Sequence, residues 1–282
     1  MSFAEDVSSG LRGRPKAIPC KYFYDYRGAQ LFDQICRLAA YYPTRAELDI
    51  LRQHGADIAS GVGAESDIVE LGSGAALKTR LLLSALGTPR RYVPFDVSGE
   101  QLEATAAALR REYPGLEVEP VCADFTQPFS VRPPEPGRRL LVFFPGSTIG
   151  NFSPIEAAAL MARMRRTCGP TGALLVGIDL KKDPAVLHRA YNDEKGVTAA
   201  FNMNLLVRAN RELGADFALE RQAVSVAGEH FELEAGEPIT TEYSYKYELG
   251  QFSELAAAAG LGARQAWLDS NRWFAVVYLV PR

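Results

Sequence analysis

The sequence predicts an α/β fold: a doubly wound, mainly parallel sheet with an antiparallel edge hairpin, joined to a smaller α+β lobe. Three observations predict it. From Asp67 onward short apolar runs alternate with helical segments, as strands buried on both faces between covering helices require. Two consecutive strand-like runs, 264–268 and 272–280, finish the chain and read as the hairpin. Helices at the start and short alternating strands after Phe217 fall outside that rhythm and belong to the lobe.

Leu31, Phe32, Ile35 and Leu38 recur at helical spacing, so 28–40 is an amphipathic helix with its apolar stripe inward. In the AAYYPTRAELDIL that follows, Pro43 biases Tyr42 toward extended backbone. Thr44 and Glu47 read as a capping box opening the next helix, which holds Tyr41 and Tyr42 on a turn between the two. Strands are expected at 67–71, 91–95, 117–122, 139–144 and 173–180. Between them lie helices 75–86, ended by Gly87, and 98–113, stopped by Pro114. A third, 153–167, has Ser153 as N-cap, Pro154 in its first turn and Glu156 near the box position. Asp183-Pro184 opens a helix, and another runs from Val197 to Leu213. Strands at 222–227, 230–233 and 239–247 and a helix at 251–260 precede the final hairpin. The expected domains are discontinuous, 48–182 with 247–282 for the sheet and 1–47 with 183–246 for the lobe.

Composition narrows the class. At 47% hydrophobic and 23% charged, with 24 Gly and 17 Pro dispersed, the 282 residues resemble a folded globular protein, which excludes disorder, collagen and coiled coil. A net charge of −3 and no basic tract argue against a nucleic-acid partner. Cys20, Cys36, Cys122 and Cys168 show no CxxC spacing and pair with none of His54, His188 and His230, so no metal is expected. No leader-like apolar core opens the chain and no apolar run approaches the ~18 residues of a membrane span. The expectation is a cytoplasmic monomer with no membrane partner.

Three constellations could carry chemistry. Glu70-Leu71-Gly72-Ser73-Gly74 closes the first strand, where glycines let a ligand approach the backbone beside a helix N-terminus. A bare GxG also fits a tight turn with no ligand. Asp96 closes the second strand, where a carboxylate can accept both hydroxyls of a ribose. Asp124 and Phe125, closing the next strand, offer a carboxylate and an aromatic face for an adenine. With no third glycine for a pyrophosphate, the set favours adenosyl-methionine, a sulfonium without phosphates, over NAD, which stays open.

Asn151 follows the fourth strand, at the end of an open sheet where ligands bind. Its amide both donates and accepts, which suits an amino-acid head group; a turn-forming Asn is the plainer alternative. In Thr241–Tyr247, alternation puts Glu242, Ser244 and Lys246 on one face and three tyrosines on the other. A carboxylate beside a hydroxyl would grip a ring carrying N–H groups, such as imidazole, unless the segment is a solvated edge strand.

The stretches KYFYDYRGAQLFDQICRLAAYYPTRAE, VELGSGAALKTR, VPFDVS, GSTIGNF, RAYNDEKGVTAAFNMN and TTEYSYK, in that order, resemble the histidine Nα-methyltransferases of ergothioneine biosynthesis. The likeness runs from about residue 15 to the C-terminus. It implies a class I methyltransferase sheet, whose edge hairpin 264–280 looks like, and a substrate-binding lobe. It also implies a metal-free transfer of three methyl groups from S-adenosyl-L-methionine to the α-amine of L-histidine, giving hercynine and S-adenosyl-L-homocysteine. Carried over, the cofactor-binding positions are Gly72, Lys78, Asp96, Asp124 and Phe125, and the histidine-binding positions are Tyr41, Asn151, Tyr191, Glu242 and Ser244. Tyr24 falls near the reacting amine, so Tyr24 and Asn151 are the catalytic candidates. Taken alone, Lys78 reads as a solvated helix lysine and Tyr191 as a packing residue.

One departure bears on specificity. The family carries a further stretch, with an apolar residue near the imidazole, between the counterparts of Phe217 and Ala223, and here FALERQAV bridges the ends almost directly. An Nα-methyltransferase for another amino acid or aromatic amine therefore stays open, and so, independently of this stretch, does a non-catalytic adenosyl-methionine-binding module.

Overall fold

The structure, a computed structural model, describes residues 2–63, 66–87, 89–218, 223–234 and 236–282. It opens with helices α1 (Phe3–Arg12), α2 (Tyr26–Arg37) and α3 (Tyr42–Val62). The alternating region holds β1 (Ser66–Leu71), α4 (Leu77–Leu86), β2 (Arg91–Asp96), α5 (Gly99–Glu112), β3 (Glu117–Val118) and β4 (Val121–Cys122). It continues through β5 (Arg139–Phe144), α6 (Pro154–Cys168) and β6 (Ala173–Asp179). Then come α7 (Pro184–Tyr191), α8 (Val197–Leu213), β7 (Ala223–Val226) and β8 (Glu229–Glu232). The last elements are α9 (Leu249–Ala258), β9 (Leu261–Leu268) and β10 (Phe274–Pro281).

The chain divides into two compact units, the larger comprising Tyr41–His188 and Ser244–Arg282. Its sheet runs β3-β2-β1-β5-β6-β10-β9, with β4 also paired to β2. Pairing is parallel from β3 to β6, and β10 enters antiparallel between β6 and β9, which is the expected hairpin. The order leaves β1 in both directions, toward β2 and toward β5, and the carboxyl ends beside such a switch form a ligand crevice.

Strand side chains alternate between two cores. Val69, Leu71, Val142 and Phe144 face Met161, Met164 and Phe252 of α6 and α9. Ile68, Tyr92, Leu141 and Phe143 face Ile50, Leu82, Leu83 and Leu109 of α3, α4 and α5. Helices on both sides make both alternating sets apolar, which is why the strands read as continuous apolar runs. Each fully buried Leu or Phe stabilises by on the order of 2 kcal/mol, so the strand ends are held firmly beneath the loops they carry.

The smaller unit comprises Met1–Ala40 and Arg189–Tyr243. Phe23 stacks on Phe201 at 4.8 Å between centroids, and Asn204 Nδ2 donates at 2.8 Å to Asp25 Oδ1, the cap of α2. β7 and β8 pair as an antiparallel hairpin. Helix α1, not anticipated from the sequence, is closed by a capping box of Ser2 and Glu5 and buries Val7 and Leu11.

Three expectations change. Thr44 caps nothing: α3 starts at Tyr42 with Tyr41 at the N-cap and Pro43 in the first turn, and Glu47 turns inward onto Lys78. A cation partner for a buried carboxylate outcompetes a cap that water can replace. The run 117–122 splits into β3 and β4, both on β2, because Pro120 between them has no amide to donate. The run 239–247 is no strand: among the described residues its ladder pairing is limited to the isolated bridges Ala17↔Thr240 and Leu180↔Tyr247. Its Thr240, Tyr245 and Tyr247 amides donate to the Lys16, Gly150 and Asp179 carbonyls. Without a flanking ladder the tyrosines do not share a packed face; Tyr247 is buried, and Tyr243 and Tyr245 are exposed. Of the shortened stretch expected near 218–223, residues 219–222 lie outside the described residues.

Candidate active site

Ligand-binding chemistry gathers at the carboxyl ends of the parallel strands. Gly72 follows β1 at φ +76° and Gly74 sits at +48°, backbone in which a side chain would be strained. A Cβ on Gly72 would come to 3.8 Å from the Phe125 ring. The Gly72 and Ser73 amides donate to the Phe95 carbonyl at 2.9 and 3.1 Å, which ties the loop to β2. Asp96, the last residue of β2, accepts from Gly74 N through Oδ2 and from Ser98 N through Oδ1, each at 3.0 Å. Those oxygens keep lone pairs for sugar hydroxyls. Asp124 accepts from the Thr126 amide at 2.8 Å, and Phe125 meets Phe144 edge-on at 5.5 Å. Glycine backbone, a carboxylate and an aromatic ring thus line one cradle.

Two buried carboxylates brace that cradle. Glu70 Oε2 accepts from Thr79 Oγ1 of α4 at 2.5 Å and from Tyr92 OH of β2 at 2.6 Å. Burial pushes Glu70 up to about 7, against the pull of those two hydrogen bonds, and burial together with Glu70 pushes the Tyr92 hydroxyl well up. The second is Glu47, whose Oε2 lies 2.5 Å from Lys78 Nζ and accepts from Gly146 N at 2.8 Å. Lys78 is therefore not the solvated lysine its helix position suggests. Glu47 was hidden by a spacing that looks the same whether the side chain reaches back to a cap or inward to a cation.

Asn151 ends the turn Thr148–Asn151 after β5. Gly150 in that turn accepts from Tyr245 N at 2.8 Å, and a Cβ there would lie 2.7 Å from the Tyr245 oxygen, so the close approach requires glycine. At the end of β6, Asp179 is fully buried and accepts from the Tyr42 hydroxyl at 2.8 and 2.9 Å. Lys182 Nζ lies 2.5 Å and Lys246 Nζ 2.7 Å from its carboxylate, and Lys246 also donates to Ser244 Oγ at 2.7 Å. Burial pulls Lys182 down, and Asp179 opposes that. Sequence reasoning missed Asp179, although its place near the carboxyl end of an expected strand was a usable signal.

Tyr41 is buried at the N-cap of α3, and its carbonyl accepts from Arg45 Nη1 at 3.2 Å. Gly72, Lys78, Asp96, Asp124, Phe125, Tyr41, Asn151 and Ser244 all belong to the larger unit. Tyr24, Tyr191 and Glu242 belong to the smaller. There Tyr24 meets Phe32 and Phe201 edge-on at 5.6 and 5.5 Å, Tyr191 ends α7, and Glu242 is exposed. Among the described residues no helix is long and apolar enough to cross a membrane, and no cluster of His, Cys, Asp or Glu could hold a metal ion.

A family model for histidine-specific, SAM-dependent methyltransferases matches residues 3–224 and 218–281, two segments that overlap at 218–224, where the sequence reads as shortened. A histidine N-alpha-methyltransferase of Mycobacterium tuberculosis is 44% identical over 297 residues, covering 95% of this chain and 92% of the relative. Ergothioneine biosynthesis protein 1 of Neurospora crassa is 30% identical over 95% of this chain, which spans 34% of that longer protein. Magnesium protoporphyrin IX methyltransferase from Synechocystis PCC 6803, solved with bound SAH, superposes with a TM-score of 0.53 at 9% identity, over 93% of this chain and 98% of its own. The sheet is that of a class I methyltransferase.

Proposed function

The chain belongs to the histidine-specific, S-adenosyl-L-methionine-dependent methyltransferases, and from that premise we propose that it transfers three methyl groups to the α-amine of L-histidine, giving hercynine for ergothioneine biosynthesis. The cradle of Gly72, Gly74, Asp96 and Phe125 carries the reading. It fits adenosyl-methionine: open backbone for the amino-acid part, Asp96 for the ribose, Phe125 with Asp124 for the adenine, and the Lys78 ammonium for a carboxylate. When bound, the cofactor would supply a sulfonium methyl: the amine lone pair would form the new N–C bond in line as the S–C bond breaks and adenosyl-homocysteine leaves.

The protein's part is to aim and deprotonate the amine. Asn151 and Tyr191 fix the head group and Tyr41 covers it, while Glu242 and Ser244 fix the imidazole at the far end. Fixing both ends so that the nitrogen and the methyl carbon stand ~3–3.5 Å apart and in line supplies several kcal/mol of the barrier as entropy already lost on binding. An amine titrating ~2 units above working pH costs ~2.7 kcal/mol to deprotonate. Tyr24 relays that proton, directly or through water, without being a strong base. Tyrosine faces at 24 and 41 stabilise the growing methylated cation by ~0.5–2 kcal/mol.

In this reading 48–182 with 247–282 bind the cofactor and 1–47 with 183–246 form the substrate lobe. No metal takes part, one chain carries every named residue, so a monomer suffices, and four cysteines without CxxC spacing suit the reducing cytoplasm. Turnover across the amino acids, read by product mass, tests the assignment; preference for tryptophan or tyrosine would sink it. That outcome would support a second reading, an Nα-methyltransferase for another amino acid or aromatic amine, which has the two-segment family match around 218–224 in its favour.

A further inference from the structure

Lys78 meets a carboxylate of the protein itself before any ligand arrives. Its Nζ lies 2.5 Å from Glu47 Oε2, and the same oxygen accepts from Gly146 N at 2.8 Å. The Glu47 side chain is fully buried, whereas that of Lys78 is 18% exposed. A Cβ on Gly146 would stand 3.4 Å from Lys78 Nζ, so the ammonium rests against the turn that follows β5, at the carboxyl ends of the strands. The sheet makes room for this carboxylate: a Cβ on Gly177 of β6 would overlap Glu47 Oε1, so glycine is required there. Among the described residues Oε1 has no hydrogen-bond partner, which leaves Lys78 and the Gly146 amide to answer the charge. Glu70, near the end of β1, feels both members of the pair. Burial pushes its carboxyl up, and of the two charges Lys78 pulls it down while Glu47 pushes it up. An anion arriving at the glycine loop meets the same opposed pair.

On the reading that the Lys78 ammonium takes the carboxylate of adenosyl-methionine, that carboxylate is the second anion on one cation. We propose that Glu47 is a positioning residue that keeps Lys78 in place while offsetting its charge, so that the cofactor's carboxylate is held loosely and adenosyl-homocysteine leaves readily between successive methyl transfers. A lysine head on a flexible four-carbon stem stays in one place only where a partner holds it, and Glu47 is that partner. The same carboxylate repels the one that the ligand brings, and like charges side by side in a partly buried site lower affinity by on the order of tenfold or more. Repeated methylation of one amine needs repeated exchange of product for fresh cofactor, so loose binding at this end shortens each cycle. Glu47, Lys78, Gly146 and Gly177 all belong to the larger unit, with the glycine loop and Asp96.

The test is calorimetry on the full chain with adenosyl-homocysteine and with its decarboxylated analogue, adenosyl-thiopropylamine, which keeps the adenine, ribose, thioether and amine. The ratio of the two affinities isolates the carboxylate, and binding of the analogue reports that the cradle is intact. Glu47→Gln keeps an acceptor for Lys78 and Gly146 and removes the charge. In that variant the ratio is expected to rise about tenfold in favour of adenosyl-homocysteine, and release of adenosyl-homocysteine, followed by displacement, to slow by a similar factor. The analogue should bind as before. A merely structural role for Glu47 would instead weaken both ligands together. Glu47→Met removes the same charge along with the acceptor and is expected to move the ratio in the same direction, while Lys78→Met lowers it. A ratio unchanged or lowered in the Glu47 variants, with Lys78→Met still lowering it, overturns the proposal and leaves the cofactor reading standing. A ratio indifferent to Lys78→Met overturns the reading that Lys78 takes the carboxylate, and the proposal with it.

Discussion

Glu47 Oε2 lies 2.5 Å from Lys78 Nζ and also accepts the Gly146 amide, so one fully buried carboxylate fastens α4 to the loop that carries Asn151. Among the described residues its other oxygen, Oε1, has no hydrogen-bond partner, which leaves the charge dependent on these contacts. Lys78→Met is expected to strand that carboxylate and destabilise the fold by ~3 kcal/mol, besides weakening adenosyl-homocysteine binding. Urea unfolding and calorimetry measure the two effects; an unchanged unfolding midpoint contradicts the first.

Asp96 joins the glycine loop to the start of α5 through Gly74 N and Ser98 N and offers the ribose its acceptors. Asp96→Ala is expected to weaken adenosyl-homocysteine binding at least tenfold, about 1.5 kcal/mol or more, as hydrogen bonds to a charged acceptor are lost. A calorimetric titration showing the original affinity rejects the role.

Glu242 is exposed and lies in the smaller unit, away in sequence from every cofactor position. Glu242→Ala should raise the histidine KM by roughly tenfold or more while leaving cofactor affinity intact. Steady-state kinetics with unchanged KM would remove Glu242 from the pocket.

The Glu70 carboxyl titrates at about 7 in the folded chain, against ~4.3 when unfolded. The folded state therefore holds this proton more tightly, and stability declines as pH rises from ~4.3 to ~7, by on the order of 3 kcal/mol in all. Glu70→Gln keeps an acceptor for Thr79 and Tyr92 and removes the titration. Its stability should gain on the unaltered protein between about pH 5 and pH 8. Urea midpoints that run parallel across that range contradict the assignment.

The sheet was legible because helices on both faces leave strands such as Leu140–Phe144 apolar without interruption, and Ser153 with Pro154 and Glu156 marked α6 by a cap that the structure repeats in full. Helix α1 was illegible since Val7 and Leu11 are too sparse a stripe to show a period. The 239–247 segment alternates like a strand, yet loops satisfy its amides, and no local pattern distinguishes a loop partner from a ladder. Gly72, Asp96 and Phe125 were readable from their places at strand ends. Asp179 was not singled out, because its hydroxyl partner Tyr42 stands 137 residues away and its lysine lies beyond β8. Lys78 needed the family likeness, since only the fold reveals the buried carboxylate beneath it.

The most direct measurement of the central claim is the product formed from histidine and adenosyl-methionine, with its mass and methyl positions determined by mass spectrometry and NMR. The expected product carries three methyl groups, all on the α-nitrogen, with both ring nitrogens bare. Methylation on the ring, or an untouched histidine alongside a methylated amino acid of another kind, would contradict it.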